Sequence, residues 1–236
     1  MIEVKSISKA YGTKKIFNSL GYDFINNTIY ALIGVNGIGK STFLNLLTQS
    51  GFRDTGLVQV DKISIDKFDS KYHFFYVPDR KDMFLNLTGM EYLSFISKIY
   101  DMDSHIAASQ IEELTSILKL KNDLGKCLKN YSLGMKQKIY LIAAFISGAN
   151  NLLFDEPFNG LDPEISYIVK KIILEYKSDN TLIIYSLHNL DMVSNFCDVI
   201  LFIDKNHEIY SMNNNKNLKE LERVFFEHCV TETKYK

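Results

Sequence analysis

Residues that break secondary structure are scarce in this chain, which has 12 glycines and 3 prolines among 236 residues. A Pro- or Gly-rich linker is therefore excluded, no internal repeat stands out, and each glycine or proline marks a particular place. Cysteine is scarcer still: Cys127, Cys197 and Cys229 lie far apart and form no paired spacing. That excludes a zinc site or disulfide framework as the organising device and fits a reducing compartment. Neither sign of charge prevails, with 27 Lys and Arg against 28 Asp and Glu for a net charge of -1. A general electrostatic grip on nucleic acid is not expected from such a balance. No apolar run reaches the roughly 18 to 20 residues that span a bilayer. Residues 1–15 alternate polar and apolar and lack the unbroken stretch of a signal peptide. A role at a membrane would require another chain to supply the membrane part.

Apolar residues make up 46% and charged residues 23%, the balance of a soluble chain with a sizeable core. At roughly 150 residues per domain, the length gives one large domain or one domain with a smaller inserted lobe. Short apolar runs rich in β-branched and aromatic residues predict buried parallel strands over 29–33, 74–77, 152–154, 182–185 and 199–203. Helical periodicity is expected over 41–49, 90–100, 106–120, 135–147, 163–177 and 190–196, with a last amphipathic segment over 218–229. Thr88 and Glu91 have the spacing of a capping box, and Asp162-Pro163 places an N-cap acceptor before a first-turn proline. The stretch 79–148 reads as almost wholly helical while strands alternate with helices on both sides, the pattern of an α/β core interrupted by a helical lobe.

The segment Gly34-Val35-Asn36-Gly37-Ile38-Gly39-Lys40-Ser41-Thr42 follows one expected strand and opens an expected helix. It has the spacing of glycine, four residues, glycine, lysine and serine or threonine. Small residues there let successive backbone N–H groups curl around phosphate oxygens, and the helix N-terminus adds partial positive charge. Lys40 is placed to reach the β- and γ-phosphates and the Ser41 hydroxyl to bind Mg²⁺. Kinases, GTPases and motor ATPases all use such a loop, so the reaction must be read elsewhere.

Leu152-Leu153-Phe154-Asp155-Glu156 ends an apolar run with adjacent carboxylates, which leave a strand in different directions. Asp155 can complete a Mg²⁺ shell through water, and Glu156 can orient or deprotonate a water attacking the γ-phosphate. Taken alone, Asp-Glu-Pro is also an ordinary strand exit. Other motifs stand in order around it. Tyr131-Ser132-Leu133-Gly134-Met135 opens a helix, with Ser132 23 residues before Asp155; Phe158-Asn159-Gly160-Leu161-Asp162 follows the carboxylates. His188 comes just after the strand expected over 182–185, and Tyr11 lies 23 residues before Gly34.

With this set of motifs the chain resembles the ATP-binding cassette (ABC) ATPases over essentially its whole length. The resemblance implies an α/β fold with a P-loop NTPase (RecA-like) core and an inserted helical lobe, forming a single nucleotide-binding domain over 1–236. The ATP-binding core would comprise 1–78 and 149–210, the helical lobe 79–148 and a C-terminal helical tail 211–236. Ser132 and Gly134 would belong to the family's signature motif, 158–162 to its D-loop, His188 would be the switch histidine at the γ-phosphate, and Tyr11 would stack on adenine. Lys40, Glu156 and His188 would be catalytic, with Ser41, Asp155 and Asp79 at the metal. Two such domains would pack head to tail, as a homodimer or heterodimer, with each ATP between one subunit's phosphate loop and the other's Ser132 and Gly134.

Several residues depart from the family pattern. Asp79, after Phe75-Tyr76-Val77-Pro78, replaces a usual glutamine; its role is divided between a metal contact and a hinge, since a carboxylate can ligate but cannot donate a hydrogen bond. Leu133 replaces a glycine and Met135 a glutamine within the signature. Asn26-Asn27 stands where a glycine normally precedes the strand, and asparagine tolerates left-handed geometry. His73, His105, His207 and His228 fall in no motif and are expected to be structural or surface residues.

The subgroup most resembled is that of bacterial drug, bacitracin and lantibiotic exporters. This implies an ATPase held on the cytoplasmic face of the cell membrane by an integral membrane transporter subunit, with ATP and Mg²⁺ as cofactors and no nucleic-acid partner. Phe84, Leu85, Leu87 and Tyr92 fit a docking surface for that subunit and ordinary lobe packing equally. The alternatives are a soluble ABC ATPase that remodels nucleic-acid or ribosomal complexes, for whose usual insertions the chain has no room, and a nucleotide-binding regulator with weak turnover. Retention of Lys40, Asp155, Glu156 and His188 argues against the regulator.

Overall fold

A computed structural model describes residues 1–67 and 72–230. Its centre is a six-stranded sheet in the order β10-β9-β3-β8-β7-β6, with β3 Thr28–Ile33, β6 Phe74–Val77, β7 Asn151–Asp155, β8 Leu182–Leu187, β9 Val199–Ile203 and β10 Ile209–Asn213. All pairs are parallel except β9–β10. The expected strands thus form one sheet, and their unbroken apolar runs have a direct cause. Ile29, Ala31 and Ile33 of β3 enter one core while Tyr30 and Leu32 enter a second on the opposite face, so both faces must be apolar.

The second core is closed by a four-stranded antiparallel sheet, order β2-β1-β4-β5, built from β1 Ile2–Tyr11, β2 Lys14–Phe24, β4 Thr55–Val60 and β5 Ile63–Ser64. Helix α1, Lys40–Thr48, is sandwiched there through Phe43, Leu44, Leu46 and Leu47. The polar-apolar alternation of residues 1–15 belongs to these strands, with Ile2, Val4 and Ile7 buried and register shifts along the β1–β2 pair interrupting the strict period of two.

The first core lies under the other helices: α2 Gly89–Ile99, α3 Ser104–Ile117, α4 Leu133–Ile146, α5 Pro163–Tyr176, α6 Leu190–Ser194 and α7 Leu218–Cys229. Helix α4 is buried continuously from Ile139 to Ile146, because it packs on β6 as well as on α2 and α3. The capping box forms, with Glu91 N–H donating to Thr88 Oγ1 at 3.2 Å and Thr88 N–H to Glu91 Oε2 at 2.8 Å. Asp162 accepts from Ile165 N–H at 2.9 Å. Asn27 adopts φ +57, the left-handed geometry expected of it. Beyond residue 210 the chain continues as β10 before any helix; residues 231–236 of the expected tail lie outside the described residues.

Candidate active site

Strand β3 feeds the loop 34–39, which opens into α1 at Lys40. Gly39 has φ +119, and an added Cβ would lie 2.9 Å from Ile16 Cγ2, so conformation and space both call for glycine. No side chain caps α1 and its first turn holds no acid, leaving the first N–H groups and their partial positive charge for an anion. Lys40 is buried, and its Nζ donates to the Gly34 carbonyl at 2.9 Å. Burial pushes the Lys40 pKa down, opposed by the charges of Glu156 and Asp155.

A cavity of about 280 Å³ is lined by Asn36, Gly37, Gly39, Lys40, Ser41, Thr42, Asp79, Asp155 and Glu156. Nine expected site residues therefore meet around one space. Asp155, at the end of β7, is 2% exposed, and its Oδ1 accepts from Ser186 Oγ at 2.6 Å. Tyr76 OH points to the other carboxylate oxygen from 3.5 Å. Burial, reinforced by the Asp155 charge, raises the Tyr76 pKa and keeps the phenol a donor. Glu156 turns away from the strand at φ +52, and its N–H donates to the same Ser186 Oγ at 3.0 Å. His188 Nδ1 stands 3.0 Å from Glu156 Oε2; with a carboxylate as acceptor, that nitrogen carries the proton. Burial raises the Glu156 pKa, and His188 and then Lys40 pull it back down.

Gly34 lies beneath the loop, where an added Cβ would meet Ile38 Cγ2 at 2.8 Å. His188 joins the site through Glu156, outside the cavity lining. Three other expected residues stay apart from the cavity. Tyr11 is 50% exposed and edge-on to Phe52 with 6.5 Å between ring centroids. Ser132 is the N-cap of α4, accepting from Met135 N–H at 3.2 Å. Gly134 abuts Gly160, whose carbonyl would lie 2.5 Å from an added Cβ; the turn that opens α4 and the loop after Glu156 are thus packed backbone to backbone.

Four contributors escaped the sequence reading. Ser186 could have been noticed as a hydroxyl inside an apolar strand, and Tyr76 as a phenol inside another. Gln137 is fully buried and donates to the Pro157 carbonyl at 2.7 Å, tying α4 to the carboxylate strand. Lys81 is 4% exposed, and its Nζ donates to the Pro78 and Asp79 carbonyls, each at 2.9 Å. Its pKa is lowered by burial against the pull of Asp79 and Asp155, so the loop bearing the unusual Asp79 brings its own countercharge. Nothing in the local sequence marks either Gln137 or Lys81 as buried.

A largely parallel sheet whose strand ends present an uncapped helix terminus, the buried Asp155 and the half-buried Glu156 has the arrangement of a P-loop nucleotide hydrolase. Residues 17–159 match the ABC transporter family, and the chain belongs to it. It is 28% identical to the bacitracin transport ATP-binding protein BcrA of Enterococcus faecalis, over 99% of this chain and 76% of that one. It is also 28% identical to the lantibiotic transport ATP-binding protein SrtF of Streptococcus pyogenes, over 96% and 99% respectively. The fold matches a solved ATP-binding subunit of an ABC transporter with a TM-score of 0.86 at 23% identity, covering 95% of this chain and 99% of that one. The chain is thus an ATP-binding and ATP-hydrolysing subunit of an ABC transporter, and the soluble remodelling ATPase is not favoured. ATP-binding subunits of this family act with a transmembrane subunit. Among the described residues no helix is long and apolar enough to cross a membrane.

The shared hydroxyl of Ser186 leads to a specific expectation. Ser186→Ala leaves Asp155 Oδ1 and the Glu156 N–H each without that partner, which costs about 1–3 kcal/mol of stability in denaturant unfolding. Phosphate release at saturating ATP should fall by about tenfold. Wild-type values in both measurements would remove Ser186 from the site.

Proposed function

We infer that this chain powers an exporter as a peripheral ATPase on the cytoplasmic face of the membrane, working as a pair of nucleotide-binding domains against an integral membrane subunit. The supporting observation is that Lys40, Ser41, Asp155 and Glu156 share one cavity while Ser132 and Gly134 of the same chain lie outside it. Half a nucleotide site on each of two surfaces is completed by a second domain set head to tail, homomeric or heteromeric.

Loop N–H groups and the α1 terminus bind the phosphates, and Lys40 Nζ neutralises charge at the β- and γ-oxygens. Glu156 takes the proton of the attacking water as the γ-phosphorus–oxygen bond to ADP breaks, and His188 holds that carboxylate in place. The donor set suits Mg²⁺: a hydroxyl from Ser41 and carboxylates from Asp155 and Asp79 face one cavity. Mg²⁺ bound there would neutralise phosphate charge. Tyr11 offers an exposed ring for adenine. Ser132, Gly134 and the α4 N-terminus would reach the γ-phosphate of the partner's ATP.

A groove of about 290 Å³ beside the site, with the exposed Met83, Phe84, Phe95 and Ile99 in its lining, is suited to an apolar helix of the membrane subunit, while Tyr92 is buried in the core and serves lobe packing. The relatives BcrA and SrtF are named for bacitracin and lantibiotic transport, which suggests antibiotics of that kind as cargo. The test is affinity purification of tagged Glu156→Gln protein from solubilised native cells with ATP and Mg²⁺. Stoichiometric recovery of a polytopic membrane protein is expected. Recovery of ribosomal or DNA-associated proteins without a membrane chain would overturn the proposal.

A further inference from the structure

His207 belongs to none of the motifs, yet it is the residue by which the β9–β10 turn reaches the phosphate loop. Its backbone stands at φ +62, a left-handed conformation that histidine reaches more readily than most residues with a Cβ. The turn is held there by Asp204, whose Oδ1 accepts from Asn206 N–H and Glu208 N–H at 2.8 Å each, and whose carbonyl accepts from His207 N–H at 3.0 Å. With the backbone so held, the imidazole lies behind the loop with Nδ1 2.9 Å from the Ile38 carbonyl oxygen. A carbonyl only accepts, so Nδ1 bears the proton. The ring is also edge-on to Phe17, with 6.3 Å between centroids, and Phe17 is one of the side chains occupying the space beside Gly39.

The Ile38 carbonyl and the Gly39 N–H belong to one peptide unit. That unit is planar and trans, so its C=O and N–H point in opposite directions. A bond that holds the carbonyl back toward the hairpin therefore turns the Gly39 N–H the other way, and Gly39 lines the phosphate cavity. Glycine on the C-terminal side makes this peptide unusually free to rotate; rotated, it would present a carbonyl to the phosphates instead of a donor.

We propose that His207 is a positioning residue for nucleotide binding, whose ring N–H fixes the Ile38–Gly39 peptide so that the Gly39 N–H faces the phosphates. This rests on the reading of 34–42 as the phosphate site. It assigns to this chain an element outside the motifs, on a hairpin remote in sequence from the loop it holds.

The test compares His207→Gly with His207→Asn, both residues that accept the positive φ. Asparagine removes the ring but keeps an N–H donor at the δ position; glycine removes both. Binding of MgADP to the full chain is measured by calorimetry, with Lys40→Ala alongside. His207→Gly is expected to weaken binding by about five- to tenfold, the worth of one hydrogen bond, and His207→Asn to stay within about twofold of the unaltered chain. Equal weakening in both variants would assign the effect to ring packing and overturn the proposal, as would unchanged affinity in His207→Gly. If Lys40→Ala loses binding while the two His207 variants do not differ, only the His207 inference fails. Undiminished binding by Lys40→Ala would instead bring down the phosphate-site reading beneath it.

Discussion

Glu156→Gln is expected to lower ATP hydrolysis by about two to four orders of magnitude and to leave MgATP binding within about threefold. The substitution keeps the shape of the side chain and its contact with His188 but removes the carboxylate assigned to take the water's proton. The geometry is specific: Glu156 sits at φ +52 with its N–H on Ser186 and its carboxylate on His188. Its pH signature also follows. Burial holds the carboxyl above the usual carboxylate range, while His188 and Lys40 lower it. The base is the ionised form, so turnover is retained above the raised pKa and lost as pH falls through it. His188→Ala removes the first of the two lowering influences, so the acid limb should move to higher pH. A turnover-pH profile with and without His188 checks the sign. Near-normal hydrolysis by Glu156→Gln would discard the catalytic assignment and revive the weakly active regulator.

The second large effect is expected at Lys40. Lys40→Ala should weaken MgATP binding by about 100-fold, equivalent to about 2.7 kcal/mol, measured by equilibrium titration with folding checked by circular dichroism. The side chain is buried and already desolvated, with its ammonium on the Gly34 carbonyl and the charges of Glu156 and Asp155 nearby. In a site of low dielectric a preorganised cation is worth far more to a phosphate than one in water. Affinity unchanged from that of the unaltered chain would mean that nucleotide binds elsewhere.

The motifs were legible because each depends on local backbone requirements. A glycine loop between a strand and a helix is written in nine consecutive residues, 34–42, and the parallel strands show as apolar runs because both their faces are covered. The antiparallel sheet was less legible. Strands β1 and β2 carry register shifts, and their polar residues face solvent, so alternation over 1–15 did not by itself announce a sheet. Segment 211–213 was expected within a helical tail and is part of β10, since its pairing with β9 supplies what local propensity does not. Lys81 and Gln137 look in sequence like surface residues; their burial comes from carbonyls that only the folded chain brings to them.

By itself, then, the sequence determined the α/β class and, through the order of its motifs, the family, and it singled out Lys40, Ser41, Asp155, Glu156 and His188 as the residues to look for in a site. These depend on spacing along the chain, and spacing is written in sequence. Only the tertiary structure decided that Ser186 serves both Asp155 and Glu156, that Lys81 comes buried beside Asp79, that Gly134 and Gly160 touch, and that the His207 ring meets the Ile38 carbonyl. Those contacts join residues whose separation in the chain carries no signal. They exist because packing strands and loops at close range gives most buried polar groups a partner from whichever segment the fold places next to them.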